Sequence, residues 1–292
     1  MTADLSKIIL GTAQFGLNYG INNSNGKISN DEIFKILAFA YKKGIKTLDT
    51  APSYGDSEIL IGNYFELNPD KKFKIITKIS NSNLSLERQL MSSLNKLKIE
   101  KIEVLLFHSF DLFKKFQDEI PFFVRNFKGK YFNELGVSVY GNDQINMLND
   151  NNLIERIQTP FNLLDNSNLR KESILNFRSK GKRVDARSIF LQGLFFKSMQ
   201  SLSSNFKSIE NELIFLNKIA NDHEISLKCI ALNYALGQKY LDHLVIGIDS
   251  LKQLKSNIKN INTVIPNKVI SKINSIRIKN PEMLNPSLWS TN

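Results

Sequence analysis

At 292 residues the chain has room for one large barrel or two ordinary domains, and a composition 42% apolar and 23% charged is that of a globular protein with ample core material. A lone cysteine, Cys229, excludes an internal disulfide and a thiolate metal cage, and no run approaches the roughly 20 apolar residues of a membrane-spanning helix. The net charge of +11 would suit a nucleic-acid partner, but the lysines scatter over polar helix faces (Lys42-Lys43, Lys71-Lys72, Lys114-Lys115, Lys252, Lys255, Lys259) instead of forming a stripe, which sets nucleic acid aside.

Taken in chain order, short apolar runs alternate with longer helical patterns. The runs are Ile8–Leu10, Thr47–Asp49, Ile75–Thr77, Val104–His108, Leu135–Ser138, Ile157–Thr159, Val184–Arg187 and Leu244–Ile246. Eight strands at a near-regular strand-plus-helix spacing predict a parallel sheet closed into a single (β/α)8 TIM barrel. Ser29 with Glu32, and Ser250 with Gln253, form capping-box patterns ahead of apolar helical faces, and Gly44 marks the stop of the first of these helices. Leu86, Leu90, Leu94 and Leu97 line one face of a helix that begins after Ser85. The longer gap before the eighth strand holds two helical segments, 210–221 and 226–237, the second placing Cys229 as a buried, inert thiol. Past Ile276 the chain turns rich in Pro and Asn, as a tail crossing the surface would be. No linker, repeat or low-complexity block interrupts residues 1–292, so one domain is expected. Ile8-Ile9-Leu10 is cut short by Gly11, so no leader is evident; a cytoplasmic chain with no membrane partner is expected.

Asp49 and His108 each end one of these runs, Lys78 directly follows the third, and Tyr54 follows the second in the turn Pro52-Ser53-Tyr54-Gly55-Asp56. Consecutive parallel strands bring their C-terminal ends to one rim, where barrels build their sites. There a lysine ammonium favours the phenolate and lowers a tyrosine pKa, a carboxylate holds the lysine charged, and an imidazole donates to a carbonyl oxygen. Each residue alone has a bland reading: a turn aspartate, a solvated strand-end lysine, a structural Tyr-Gly turn, a satisfied buried histidine. Together they form a proton-transfer set that lacks a nucleophile or metal cluster, so the second reactant must be brought in, and a hydride from a nicotinamide cofactor fits best. A lyase or isomerase working through a Lys78 Schiff base needs an uncharged lysine, which Asp49 opposes.

The segment Leu48-Asp49-Thr50-Ala51-Pro52-Ser53-Tyr54-Gly55-Asp56-Ser57-Glu58 resembles the signature of the aldo-keto reductase family. Gly11-Thr12-Ala13-Gln14-Phe15-Gly16, Ile76-Thr77-Lys78 and Leu106-Phe107-His108 join it in the family's order. The resemblance covers nearly the whole chain and is closest to bacterial, short-loop members. It implies Tyr54 as general acid, Lys78 and Asp49 as its tuning pair, His108 as the group that orients the carbonyl, and a dinucleotide lying across the rim without a Rossmann fingerprint. It further implies cofactor contacts from Gly11, Thr12 and Ala13 on the first strand, and from Ser138 and Gln158 to the carboxamide. Arg187 and Ser188 on the seventh strand, and Gly247, Asp249, Ser250, Gln253 and Asn257 at the adenosine end, complete the set. Ser250 and Gln253 are explained equally well as a helix cap.

Two positions depart from the family pattern. Arg187 stands where many members carry an aromatic residue, so it either stacks on the nicotinamide or pairs with an acidic substrate group. Asp249 stands where a ribose 2′-phosphate is often held; a carboxylate there repels phosphate and favours a free hydroxyl. Lys252 or Lys255 could restore the positive charge, which keeps NADP(H) narrowly ahead of NAD(H). The N-terminus leaves little room for the hairpin that closes the barrel floor in many relatives. The expected substrate is an aldehyde or ketone, polar or anionic, such as a sugar acid, sugar phosphate or nucleotide sugar. The alternative is a cofactor-sensing regulatory subunit with little turnover, like the potassium-channel β subunits of the same family. Oligomeric state is open.

Overall fold

In the computed structural model, residues 5–18, 20, 21, 26–198, 200 and 202–289 are described. Eight parallel strands close into a barrel in sequence order: β1 (Ile8–Gly11), β2 (Thr47–Asp49), β3 (Lys74–Ile79), β4 (Ile102–Phe107), β5 (Phe132–Ser138), β6 (Arg156–Pro160), β7 (Arg183–Arg187) and β8 (His243–Gly247). Closure is by β8 on β1, where Gly11 pairs with Gly247 on one side and with Asp49 of β2 on the other. All eight predicted strands form. His108 is the one predicted strand residue that falls just outside its strand, its backbone N–H donating to the Ile79 carbonyl at 3.0 Å.

The pleat sorts the side chains. Ile9, Ile76, Val104 and Leu106, with Val245 beside them, pack together inside the barrel. The intervening residues Leu10, Leu48, Ile75, Leu105, Leu135, Ile157, Val184 and Leu244 face the helices and belong to the large outer core. The inner face of the lower barrel holds charges. Arg156 donates from Nε to Glu134 at 2.9 Å and from Nη1 to Asp185 at 2.8 Å, and His243 Nδ1 lies 2.8 Å from the same aspartate. Arg156 is 3% exposed and Asp185 fully buried, so removing any member would strand a buried charge.

The helices are α1 (Ala13–Gly16), α2 (Asn30–Lys42), α3 (Ser57–Leu67), α4 (Leu86–Leu97), α5 (Phe110–Phe116), α6 (Ile120–Phe127), α7 (Asn142–Met147), α8 (Ser167–Ser179), α9 (Glu210–Asp222), α10 (Leu227–Leu236), α11 (Leu251–Asn260) and α12 (Asn267–Ser275). Ser29, Ser85 and Ser250 cap α2, α4 and α11 as expected, each hydroxyl accepting from the backbone N–H three residues on. The capping boxes are only half made. Glu32 accepts from the N–H of Leu251 at 2.8 Å and so ties α2 to α11, and Gln253 turns to Asp249. The tail past Ile276 docks on the surface: Leu284 is buried and Trp289 meets Phe206 edge-on at 4.8 Å. Among the described residues no strand precedes β1, and no helix is long and apolar enough to cross a membrane.

Candidate active site

The segment after β2 is built to hold one side chain. A hydroxyl chain locks it from below: Thr12 donates to the Asp49 carbonyl at 2.9 Å, Ser57 to Thr12 Oγ1 at 2.8 Å and Thr50 to Ser57 at 3.0 Å. Glu58 accepts from Thr77 of β3 at 2.7 Å. The turn carrying Tyr54 rests against α1: a Cβ on Gly16 would lie 1.8 Å from the Tyr54 carbonyl oxygen, and Gly55 takes a positive φ of 56°. Many non-ionisable residues of the signature segment therefore serve to aim the tyrosine.

The four ionisable groups converge. Lys78 is 1% exposed and uses all three of its donors: Asp49 Oδ1 at 2.8 Å, the Thr50 carbonyl at 2.9 Å and the Tyr54 hydroxyl at 3.1 Å. The Tyr54 and His108 rings meet edge to face at 5.8 Å. His108 Nδ1 lies 3.1 Å from Ser53 Oγ and 3.2 Å from Ser80 Oγ. Burial pushes the Tyr54 hydroxyl above its ordinary pKa, overriding the downward pull of Lys78. This reverses the depression expected from the sequence, because the phenol is withdrawn from water along with the cation. For Lys78 the balance runs the other way: burial would lower it, but Asp49 and Tyr54 carry it above the ordinary lysine value. His108 is driven down to about 3 by burial and by the charges of Lys78 and Arg187, so it is neutral at ordinary pH.

These groups open onto a cavity of about 680 Å3 on the C-terminal side of the barrel, within the usual range for small-molecule sites. Gly11, Thr12, Ala13, Ser138, Gln158, Arg187, Ser188, Gly247, Asp249, Gln253 and Asn257 line it, all from the expected set. Ser250 does not; its hydroxyl is spent capping α11. Thr12 is likewise committed through its hydroxyl, and Gln158 donates to Asp49 Oδ2 at 2.8 Å, which extends the ionisable group by an amide. Arg187 lies with its guanidinium carbon 4.1 Å from the Tyr140 ring centre and donates to the Val139 carbonyl and to Ser188 Oγ. Neither Lys252 nor Lys255 reaches the cavity; Lys255 sits over Phe39 instead. The cation at that side is Lys228 of α10, which sequence reasoning passed over, as it passed over Gln14 and Tyr140.

Several lining atoms are poised for a ligand. Gln14 Oε1, Asn257 Oδ1 and Arg187 Nε are buried without a hydrogen-bond partner, a costly condition that a bound polar group relieves. A Cβ on Gly247 would fall 2.7 Å from Gln14 Nε2, so the glycine keeps the groove floor open. The donor set, split between a proton-transfer end and an amide-lined end, fits an extended dinucleotide. Among the described residues no group of three metal-ligating side chains occurs.

A parallel barrel with a phenol, an ammonium, a carboxylate and an imidazole in contact at its C-terminal rim defines the class of barrel oxidoreductases. The chain belongs to the aldo/keto reductase family, whose sequence profile matches residues 7–278. It is 26% identical over 295 residues to the D-arabinose 1-dehydrogenase of Saccharomyces cerevisiae, covering 91% of this chain and 85% of that protein. Its fold is similar to that of an aldo-keto reductase-type protein from Pseudomonas aeruginosa known from a crystal structure. That match has a TM-score of 0.63 and 18% identity, over 89% of this chain and 93% of the other. The chain is an NAD(P)H-dependent oxidoreductase acting on a small carbonyl compound.

Proposed function

We propose that the chain reduces an anionic or polyhydroxylated, sugar-type aldehyde or ketone, with Tyr54 as the proton donor and NADP(H) preferred to NAD(H). The observation that carries this reading is the hydrogen bond from Lys78 to the Tyr54 oxygen, backed by Asp49. Because the tyrosine oxygen accepts from the ammonium, its own proton is left to be given away. The raised phenol pKa keeps that proton in place at neutral pH, and the ammonium beside it stabilises the charge that develops on the oxygen as the proton leaves. His108, neutral and with two serine hydroxyls at Nδ1, carries its ring proton on Nε2 when one of them donates, which leaves Nε2 free to donate to the substrate oxygen. A nicotinamide held in the cavity lined by Gly11, Ser138, Gln158 and Gly247 would supply a hydride for the carbonyl carbon, and Tyr54 gives its proton to the carbonyl oxygen.

The substrate class rests on Arg187. Its guanidinium has no carboxylate partner among the described residues, and its Nε is buried and unpartnered. A stacked guanidinium that lines the cavity without a carboxylate attracts an anionic group there. Asp49 and the site's retained contacts favour an enzyme over a regulatory scaffold.

The test is a panel of neutral and anionic aldehydes and aldoses, D-arabinose and glucuronate among them, assayed with NADPH and NADH. Turnover that Tyr54→Phe reduces by about 10²–10⁴, with dinucleotide affinity unchanged, supports the assignment. Arg187→Leu should raise KM for the anionic members alone. Full activity in Tyr54→Phe, or no hydride transfer across the panel, overturns it.

A further inference from the structure

Two charges of opposite sign stand on the β8 side of the cavity, and the structure treats them differently. The Asp249 carboxylate is engaged: its Oδ2 accepts from Gln253 Nε2 at 2.9 Å, and Gln253 Oε1 accepts the Asp249 backbone N–H at 3.0 Å. Lys228 has no such companion. Its side chain is partly buried along its length, its ammonium makes a long, exposed contact to Ser256 Oγ at 3.5 Å, and it forms no ion pair among the described residues. Burial holds its pKa below the ordinary lysine value. A partly desolvated cation without a carboxylate is unfavourable until an anion joins it. As the second residue of α10 it also sits where the helix dipole adds to its charge.

Asn257 supplies an independent observation. It is 3% exposed, lines the same cavity and leaves Oδ1 buried without a partner. Such an acceptor calls for a donor from a ligand, which the exocyclic amine of a nucleotide base would supply. Lys228 and Asn257 line this cavity from the neighbouring helices α10 and α11, so both are within the reach of one extended ligand.

We propose that Lys228 is the specificity-determining residue for the cofactor, holding the ribose 2′-phosphate of NADP(H) against the opposing charge of Asp249. The proposal rests on the reading of this cavity as the dinucleotide site. It also reassigns the balancing charge from α11, where the sequence placed it on Lys252 or Lys255, to α10.

The experiment is equilibrium binding, without turnover. Wild type, Lys228→Met and Lys228→Arg are titrated with NADPH, NADH, adenosine 2′,5′-bisphosphate and 5′-AMP at two salt concentrations. The expected result is that Lys228→Met weakens NADPH and the bisphosphate about tenfold, as for one lost charge-assisted hydrogen bond, and leaves NADH and 5′-AMP within about twofold. Lys228→Arg should retain the preference, and the salt dependence of NADPH binding should shrink in Lys228→Met. Equal weakening of both dinucleotides, no weakening of NADPH, or a wild type that binds NADH and not NADPH overturns the role of Lys228 while leaving the cavity a dinucleotide site. A wild type that binds neither dinucleotide overturns the cofactor reading, and this assignment with it.

Discussion

Replacing Lys78 with methionine keeps the volume of the side chain and removes three donors at once. Asp49 Oδ1, the Thr50 carbonyl and the Tyr54 oxygen all lose the ammonium. Asp49 is 3% exposed and is left with only the Gln158 amide on its other oxygen. Breaking a buried pair by deleting one partner costs about 3–5 kcal/mol, because the remaining charge is uncompensated. For a chain of this size each kcal/mol lowers Tm by roughly 2 °C, so a fall of about 6–10 °C is expected. If the stranded carboxylate is the cause, Lys78→Met/Asp49→Asn should be less destabilised than the sum of the single variants by about 2 kcal/mol. Urea unfolding followed by far-UV circular dichroism, on the cofactor-free protein, measures all four corners of the cycle. A cost below about 1 kcal/mol for Lys78→Met, or additivity within about 0.5 kcal/mol, would refute the account of Lys78 and Asp49 as a buried, mutually dependent pair.

Three further outcomes follow from the same geometry. Gly16→Ala would drive a Cβ to 1.8 Å from the Tyr54 carbonyl, so the turn must shift; kcat/KM should fall on the order of 10² through misplaced Tyr54, and near-normal activity would show that the turn is not held by that contact. His108, with its pKa near 3, should leave the pH–rate profile flat from roughly pH 5 to 9, and a limb near pH 6.5 that vanishes in His108→Gln would contradict this. Its folded pKa lies below the unfolded value, so the unfolded chain binds the proton first and stability declines as pH falls from about 6.5 toward 3; the wild type should therefore lose more stability than His108→Gln between pH 7 and 5.

The barrel was legible because short runs bearing buried apolar residues recur at a spacing that leaves room for one crossover helix, although β2, β6 and β7 hold only one or two apolar residues each. The starts of the strands were not. β5 begins at Phe132, three residues before the apolar run at Leu135, because Asn133 and Glu134 are accommodated by Glu103 and Arg156 on neighbouring strands. β6 and β7 likewise open on arginines. A rule that ends a strand at a polar residue fails where that residue has a partner across the sheet. The signature segment revealed Asp49 and Tyr54, and the next strand's run Lys78, for the opposite reason: a short chain distance becomes a short spatial distance on adjacent strands. Lys228 sits among apolar residues of α10, more than a hundred residues from the tetrad, and nothing local distinguishes it from a solvated lysine.

The two charged layers inside the barrel make the same point in physical terms. Both contain buried cation–carboxylate pairs, and residue type alone does not separate them. In the lower layer Arg156, Glu134, Asp185 and His243 leave no buried polar atom without a partner. Such a closed network holds strands in register and offers nothing to a ligand. In the upper layer the pair of Lys78 and Asp49 is also satisfied, but it ends on a tyrosine that still has a proton to give. Around it Arg187 Nε, Gln14 Oε1 and Asn257 Oδ1 wait for partners that the chain does not provide. Unpartnered buried atoms also occur away from the cavity, at Glu58, Tyr64, Asn149, Thr159 and Tyr240. What separates the site from the scaffold is therefore the gathering of three such atoms around one cavity beside a proton donor, which becomes visible only when the strands are placed side by side.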